Sequence, residues 1–289
     1  MNRILIFLVS LVLMTGCSQC ALGGTYLLPA EQLMAESQKV LYKRTPQEDL
    51  YLYVLNPTKA TSNRKSVPAI VCFFGGGWVK GDPSTMIGTA AWFRDQGYVA
   101  ISADYRVRSR HGTTPLECIQ DAKSAIRFVR VHAQQLGVDP QKIIADGGSA
   151  GGHIASATAL VKGHEEPGED TTVSSQANAL VLHNPVLGGH GFGGSFFNQH
   201  SDCAPVNFVT KGLPPTVLSC GTKDPVTPIT EAQHFTALMR ENGNHCELIE
   251  VKYAGHSCDW PVTNPNFLPT VTRMAAFLKE NGFSPEAGK

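Results

Sequence analysis

The stretch Gly147-Gly-Ser-Ala-Gly-Gly152 decides the fold of this 289-residue chain. It lies between a short apolar run at 142–145, which is typical of a buried strand, and the small-residue segment 150–161, which favours a helix. A G-x-S-x-G pattern at a strand-to-helix turn lifts the serine hydroxyl out of the end of a sheet. The glycines are needed because the chain turns sharply and neighbouring segments come too close for a Cβ. The pattern therefore predicts that Ser149 is a nucleophile.

Strand and helix patterns alternate on both sides of this turn. The predicted strands are 39–42, 50–55, 69–74, 99–103, 142–145, 179–182, 215–219 and 247–251, and the predicted helices are 115–136, 150–161, 229–242 and 269–281. Because strands that alternate with helices form parallel sheets, we expect an α/β fold with a mostly parallel central sheet and helices on both faces. Residues 26–285 are expected to form a single catalytic domain, with 188–210 as a loop insertion.

A serine hydroxyl is a weak nucleophile and needs a base, which an acid in turn orients. His256 follows the predicted strand 247–251, and Asp224 follows the predicted strand 215–219. Both are therefore expected at the same edge of the sheet as Ser149, in the chain order serine, acid, histidine. Asp259 is the weaker candidate for the acid, since only three positions separate it from His256. We expect Ser149, Asp224 and His256 to form a catalytic triad.

Three consecutive glycines, 75–77, follow the predicted strand 69–74 and precede Trp78. Glycines at this position let the backbone approach a reacting carbonyl, whose negative charge then needs N–H donors. One donor is expected to be the N–H of Ala150, directly after the nucleophile, and the others are expected from the glycine loop.

Four motifs together resemble the α/β-hydrolase serine esterases, in particular the hormone-sensitive-lipase-type and the bacterial acetyl- or feruloyl-esterase-like groups. They are Phe74-Gly-Gly-Gly-Trp-Val-Lys-Gly-Asp82, Asp104-Tyr-Arg106, Asp121-Ala-Lys-Ser-Ala-Ile-Arg127 and Gly147-Gly-Ser-Ala-Gly-Gly-His153. The resemblance extends over roughly residues 40–285.

The resemblance implies the α/β-hydrolase fold, with Gly76 and Gly77 joining Ala150 as oxyanion donors. It also implies that the charged residues of the second and third motifs, Asp104, Arg106 and Asp121, hold loops by ion pairs. This chain has Phe74 where the family usually has a histidine that orients the glycine loop. We therefore expect the loop to be held in a different way here.

These residues favour a serine carboxylesterase that hydrolyses short-chain or small acyl esters through an acyl-enzyme and needs no cofactor. The substrate would be a small-molecule or glycan ester, and the resemblance implies an acetyl or feruloyl esterase acting on carbohydrates. A serine peptidase of the same fold is the alternative, although such peptidases usually carry a propeller or helical cap for which this chain has no room. A non-catalytic surface-binding protein would be expected to have lost a member of the triad.

Charge and histidine spacing argue against two other classes of function. Lys and Arg total 24, as do Asp and Glu, and no basic run would follow a phosphate backbone, so nucleic-acid binding is not expected. No Cys or His cluster has the spacing of a zinc site. The histidines at 183, 190 and 200 are irregularly spaced, which favours solvated or pocket-lining roles over metal binding.

The N-terminus has the layout of an export signal. Arg3 precedes an apolar segment at 4–14, and Met14-Thr-Gly-Cys17 resembles a bacterial lipobox. Residues 1–17 are therefore expected to be a signal peptide, with the protein attached to the cell envelope by a lipid at Cys17 or, failing that, periplasmic or secreted. Export permits disulfides. Cys72 and Cys220 are predicted to be buried thiols, whereas a bridge between Cys203 and Cys258 stays open.

Overall fold

A computed structural model describes residues 24–57, 66–188 and 191–285 of the chain. The predicted signal peptide, the predicted lipidation site Cys17 and His190 lie outside the described residues. The described strands form one sheet of eight strands. They are β1 (Gln38–Arg44), β2 (Asp49–Leu55), β3 (Val67–Phe73), β4 (Val99–Ala103), β5 (Val138–Gly148), β6 (Ala179–His183), β7 (Thr216–Gly221) and β8 (Cys246–Val251).

The strands lie in the order β1-β2-β4-β3-β5-β6-β7-β8. β1 pairs with β2 and β2 with β4 in antiparallel fashion, and every later pairing is parallel. The mostly parallel sheet is therefore as predicted. β3, β4 and β6 are buried along their whole length, because strands covered on both faces tolerate apolar residues throughout.

Helices connect the strands and pack against the sheet. They are α1 (Ala30–Glu36), α2 (Ile87–Asp95), α3 (Arg108–His111), α4 (Pro115–Val131), α5 (Ala133–Leu136), α6 (Ala150–Leu160), α7 (Gly194–Gln199), α8 (Ile229–Glu241) and α9 (Phe267–Glu280). α6 is buried at every residue and contacts β3, β5, β6 and α4. The close approach to β3 requires glycine at 151, since a Cβ there would overlap the carbonyl oxygens of Phe73 and Phe74.

Two expectations about helices were wrong. The single helix predicted over 115–136 breaks at His132, which has φ −97° and ψ 17° between α4 and α5. The N-terminus of α4 is fixed by a capping box, in which Thr114 and Glu117 satisfy each other's backbone N–H groups. The predicted loop insertion at 188–210 instead contains α7 and 3₁₀ turns at Gly191–Gly193, Ser201–Cys203 and Pro205–Phe208.

The residues implied to be scaffold form buried or partly buried ion pairs. Arg106 Nη2 lies 2.7 Å from Asp121 Oδ1, which Lys43 Nζ also approaches to 2.6 Å. Asp104 Oδ1 lies 2.5 Å from Nη2 of Arg110. These pairs join β1, α4 and the segment after β4, and so confirm the role that the resemblance implied.

The bridge left open between Cys203 and Cys258 is not formed, and both residues are buried free thiols. Each sulfur has its own polar neighbour, since Cys203 Sγ lies 3.4 Å from His164 Nε2 and Cys258 Sγ lies 3.7 Å from Asp259 Oδ1. Cys72 and Cys220 are buried free thiols, as predicted. Among the described residues, no helix is both long enough and apolar enough to cross a lipid bilayer.

Candidate active site

Ser149 occupies a strained turn between β5 and α6. Its backbone has φ 54° and ψ −119°, a conformation that side-chain-bearing residues rarely adopt. The turn is held by the Ser149 N–H, which donates to the carbonyl of His183 at 2.9 Å. A Cβ on Gly147 would overlap the carbonyl of Gly151, which explains the glycine at position 147. Strain of this kind persists only where surrounding contacts fix it.

The structure brings Ser149, His256 and Asp224 into one hydrogen-bonded line. His256 Nε2 lies 3.0 Å from Ser149 Oγ, and His256 Nδ1 lies 2.8 Å from Asp224 Oδ2. An ionised carboxylate only accepts hydrogen bonds, so Nδ1 carries the hydrogen and donates it to Asp224. The lone pair of Nε2 therefore faces the serine hydroxyl, as a general base requires.

Asp224 is held in place by three further donors. The backbone N–H groups of Val226 and Thr227 donate to Oδ1 at 2.8 and 2.9 Å, and the Thr227 hydroxyl donates to Oδ2 at 2.8 Å. Burial raises the pKa of the Asp224 carboxyl, but the hydrogen bonds from His256, Thr227 and Val226 outweigh burial and hold the pKa below its ordinary value. Asp224 is therefore an ionised acceptor with a fixed orientation.

The glycine loop lies against the serine. A Cβ on Gly75 would be 3.5 Å from the Cβ of Ser149, so the loop and the nucleophile are in contact. Gly76 and Gly77 have φ values of 126° and 65°. The carbonyl of Gly76 accepts from the N–H groups of Val79 and Lys80. Within the described segments, no hydrogen bond uses the N–H of Gly76 or Gly77, which leaves these donors available to a ligand.

The N–H of Ala150 is also available. Ala150 is the first residue of α6, and the first N–H groups of a helix have no partner within it. The helix dipole places partial positive charge at this end, where an anion would be stabilised. The three N–H groups named from the sequence are thus adjacent to the serine or in the loop that touches it.

Phe74, which stands where the family usually has a histidine, holds the glycine loop by stacking on an aromatic ring. Its ring lies 4.0 Å from the ring of Tyr105 at an angle of 18°. The Tyr105 hydroxyl donates to the carbonyl of Phe74 at 2.6 Å. Ring and main chain of Phe74 are therefore both fixed by one tyrosine, which lies between the scaffold residues Asp104 and Arg106. Sequence reasoning foresaw a different anchor for the loop but did not identify Tyr105.

Trp78 and His153 form a second anchor that sequence reasoning missed. Trp78 Nε1 donates to His153 Nδ1 at 3.1 Å, and His153 Nε2 lies 2.9 Å from the carbonyl of Cys203. Burial lowers the pKa of His153 to about 4, so the ring is neutral and Nε2 donates to that carbonyl. His153 thereby ties the glycine loop to the segment around Cys203. The signal was visible, because both residues belong to the quoted motifs.

A cavity of about 710 Å³ opens above Ser149 and His256. Apolar side chains contribute much of its wall, namely Val79, Met86, Phe192, Val226 and Trp260. Phe192 stacks on Trp78 with ring centroids 5.8 Å apart, and its edge would lie 2.9 Å from a Cβ on Gly77. The cavity therefore suits an apolar group next to a carbonyl bound at the serine.

Asp259, the weaker candidate for the acid, does not face His256. Its Oδ2 lies 2.8 Å from Nδ1 of His183 instead. His183 was expected to be solvated or pocket-lining, and the structure buries its side chain while the residue contributes to the cavity wall. His200 is partly buried against Phe196, with ring centroids 4.9 Å apart.

Among the described residues, His164, Asp202 and Cys203 place three potential ligand atoms within 4.8 Å of one another. They lie apart from Ser149 and His256, and His164 is already paired with Asp202 at 3.1 Å. None of these three residues belongs to the hydrogen-bonded line of Ser149, His256 and Asp224.

Comparisons with known proteins find similarity to esterases. The BD-FAE family model matches residues 54–186. Esterase LipC and Esterase LipQ of Mycobacterium tuberculosis are each 26% identical to this chain, over 84% and 81% of its length. The chain spans 64% and 60% of the length of these two curated relatives.

Solved structures give a fuller match. Thermogutta terrifontis esterase 2 phosphoramylated by tabun is 40% identical, with a TM-score of 0.81, and the match covers 89% of this chain and 98% of the esterase. The butyrate-bound structure of the same enzyme is 39% identical, with a TM-score of 0.81, over 88% of this chain and 98% of the esterase.

Proposed function

Because the chain belongs to the α/β-hydrolase serine esterases of the hormone-sensitive-lipase type, we propose that it is a carboxylesterase that cleaves small acyl esters. The observation that carries this proposal is the hydrogen-bonded line from Ser149 through His256 to Asp224 at the floor of an apolar cavity. Ser149, His256 and Asp224 act as nucleophile, general base and orienting acid.

The reaction proceeds in two halves. Ser149 Oγ attacks the ester carbonyl while His256 Nε2 takes its proton, and the resulting imidazolium gives that proton to the leaving alcohol. Water then attacks the acyl-enzyme, losing its proton to His256, and Ser149 is released with the carboxylic acid. The N–H groups of Gly76, Gly77 and Ala150 stabilise the oxyanion in both halves. Each such donor lowers the barrier by about 3 kcal/mol.

Two observations support a small acyl group. The cavity wall includes Phe192, which lies close over Gly77 and limits the space beside the glycine loop. Thermogutta terrifontis esterase 2 has been solved with propionate and with butyrate bound. Carbohydrate acetyl or feruloyl esters are the natural substrates that we propose for this chain.

The test compares the protein with its Ser149→Ala variant on p-nitrophenyl acetate, butyrate and decanoate. We expect faster hydrolysis of the two short esters and no hydrolysis by the variant. Ser174→Ala, which changes an exposed serine in the segment between α6 and β6, is the matched control and should keep full activity. Paraoxon should inactivate the enzyme in proportion to the fraction of Ser149 that it phosphorylates. Hydrolysis that survives Ser149→Ala would overturn the proposal.

The substrate class is tested separately with acetylated and feruloylated oligosaccharides. Release of acetate or ferulate at rates comparable to p-nitrophenyl acetate would support a carbohydrate esterase. Activity confined to simple alkyl and aryl esters would contradict the glycan part of the proposal and leave the carboxylesterase part intact.

We further propose that the protein is exported and anchored to the cell envelope by a lipid at Cys17. The support is the charged Arg3, the apolar segment 4–14 and the lipobox-like Met14-Thr-Gly-Cys17. In a bacterial host, the protein should label with palmitate and sediment with membranes, and Cys17→Ser should abolish both. A wild-type protein that takes up no palmitate would contradict the anchor.

A further inference from the structure

One imidazole in the core has a carboxylate at each ring nitrogen. His183, the last residue of β6, has Nδ1 at 2.8 Å from Asp259 Oδ2 and Nε2 at 3.1 Å from Asp146 Oδ1. The side chains are 4% exposed for His183 and 0% for both aspartates. Asp146 lies on the neighbouring strand β5, and Asp259 lies on the loop after β8 that carries His256. The three residues are the Asp-His-Asp cluster.

The geometry determines the charge of this histidine. A neutral imidazole has one N–H and one lone pair, so it can donate to only one of two carboxylates. Between two ionised carboxylates, His183 carries a hydrogen on each nitrogen. Burial lowers the pKa of His183, but Asp259 and Asp146 outweigh burial and raise it well above its ordinary value. The reciprocal effect appears at Asp259, where burial raises the pKa and His183 overcomes it, leaving the pKa below its ordinary value.

The other neighbours of the cluster are neutral. Ser219 on β7 donates its hydroxyl hydrogen to Asp259 Oδ2 at 2.6 Å. Cys72 on β3 pairs in register with Asp146, and burial together with that carboxylate raises the pKa of its thiol. The thiol of Cys258 lies beside Asp259, and burial raises its pKa as well. The cluster therefore holds one imidazolium between two carboxylates.

The Asp-His-Asp cluster contacts both the turn that carries Ser149 and the loop that carries His256. The main-chain carbonyl of His183 accepts from the N–H of Ser149 and so holds the strained turn of the nucleophile. The side chain of His183 holds Asp259, three positions after His256 on the same loop. His183 thus contacts both the turn that carries the nucleophile and the loop that carries its base.

We propose that His183 is a positioning residue, which fixes the His256 loop against the Ser149 turn by binding Asp259 and Asp146 as an imidazolium. The inference rests on the proposed function, since it concerns the efficiency of the same triad. His183 and Asp259 touch no reacting atom. Their effect is on the 3.0 Å distance from His256 Nε2 to Ser149 Oγ.

The first experiment replaces Asp259, the member of the cluster that lies on the His256 loop. Asp259→Ala should lower kcat by about 10²-fold, since a misplacement of about 1 Å costs that much, while KM changes by less than about fivefold because most of the cavity wall lies on other segments. Asp259→Asn keeps an oxygen that accepts from His183 and Ser219, and should restore kcat to within about tenfold of the wild type.

A control removes a partly buried, ion-paired carboxylate outside the triad and the cluster. Glu165 pairs with Lys123 at 2.8 Å and with Arg127 at 2.5 Å. Glu165→Ala should lower the free energy of unfolding and leave kcat unchanged. If Asp259→Ala behaves like this control, with reduced stability and an unaltered kcat, the cluster is only structural and the inference is wrong.

A second measurement needs neither activity nor a variant that folds. In wild-type protein with ¹⁵N-labelled histidine, NMR at pH 8 should show one histidine with both ring nitrogens protonated. A spectrum in which every histidine is neutral at that pH would overturn the inference. Failure of the proposed function is distinct, because it would appear as activity that survives Ser149→Ala while this NMR signature remains.

Discussion

The substitution Asp224→Asn tests the catalytic line most directly. Two backbone N–H groups, from Val226 and Thr227, donate to Asp224 Oδ1 at 2.8 and 2.9 Å. The amide of an asparagine will turn its oxygen toward these donors, since the opposite orientation would leave both unpaired at about 1–3 kcal/mol each. Its NH₂ group must then face His256 Nδ1.

An NH₂ group in that position forces the His256 imidazole into its other tautomer. It donates to Nδ1, so the hydrogen of a neutral His256 moves to Nε2, which can no longer accept the proton of Ser149. Enforcing the wrong tautomer in a serine protease lowers kcat by about 10⁴-fold, and we expect a similar loss here, equivalent to about 5 kcal/mol of barrier.

The assay is steady-state hydrolysis of p-nitrophenyl butyrate at pH 7.5 (roughly one unit above the ordinary histidine pKa). Asp170→Asn is the matched control, because Asp170 also accepts from backbone and hydroxyl donors two positions on, at Thr172, but lies exposed in another loop. It should keep full activity. A loss of less than about tenfold in Asp224→Asn would refute the tautomer argument.

Three further outcomes follow from contacts described above. Phe192→Ala should raise the ratio of kcat/KM for decanoate over butyrate esters by about tenfold, since it removes the ring over the glycine loop; an unchanged ratio in the p-nitrophenyl series would show that Phe192 does not limit acyl length. Asp121→Ala should lower the free energy of unfolding in urea by about 3 kcal/mol, because it leaves buried Arg106 and Lys43 with the partly exposed Glu166 as their remaining acidic partner; a loss below about 1 kcal/mol would contradict this. Asp224 and Asp259 have lowered pKa values when folded, so their stabilisation is complete above about pH 5 and should be lost on acidification through the folded pKa values, below about pH 4; urea titrations from pH 7 to 3 that show no decline would contradict those shifts.

The parallel sheet and the three residues brought together at Ser149 could be predicted because their signals are local. Each of Ser149, Asp224 and His256 lies a few residues after an apolar run, and the carboxyl ends of parallel strands meet at one edge of a sheet. Chain order then assigns the roles. The glycine loop could be placed for the same reason, since it follows β3.

Other features depend on contacts between distant positions. His183 and Asp259 are 76 positions apart, and Trp78 and His153 are 75 apart, so no spacing rule pairs them. The sequence suggests Asp259 as an alternative acid for His256, but its partner in the structure is His183 on β6. α2 was missed because it is buried on nearly all sides and therefore lacks an amphipathic stripe.

The six thiols in the described part of the chain offer a way to follow the unfolding of the protein region by region. All are buried and unbridged, and burial raises the pKa to about 12 for Cys203, Cys220 and Cys246. An alkylating reagent attacks only an exposed thiolate, so the folded domain presents it with nothing to modify at these positions. Because the sites are spread over β3, α4, β7, β8, one 3₁₀ turn and one loop, the order in which mass increments accumulate in rising urea would show which region unfolds first, without any introduced label.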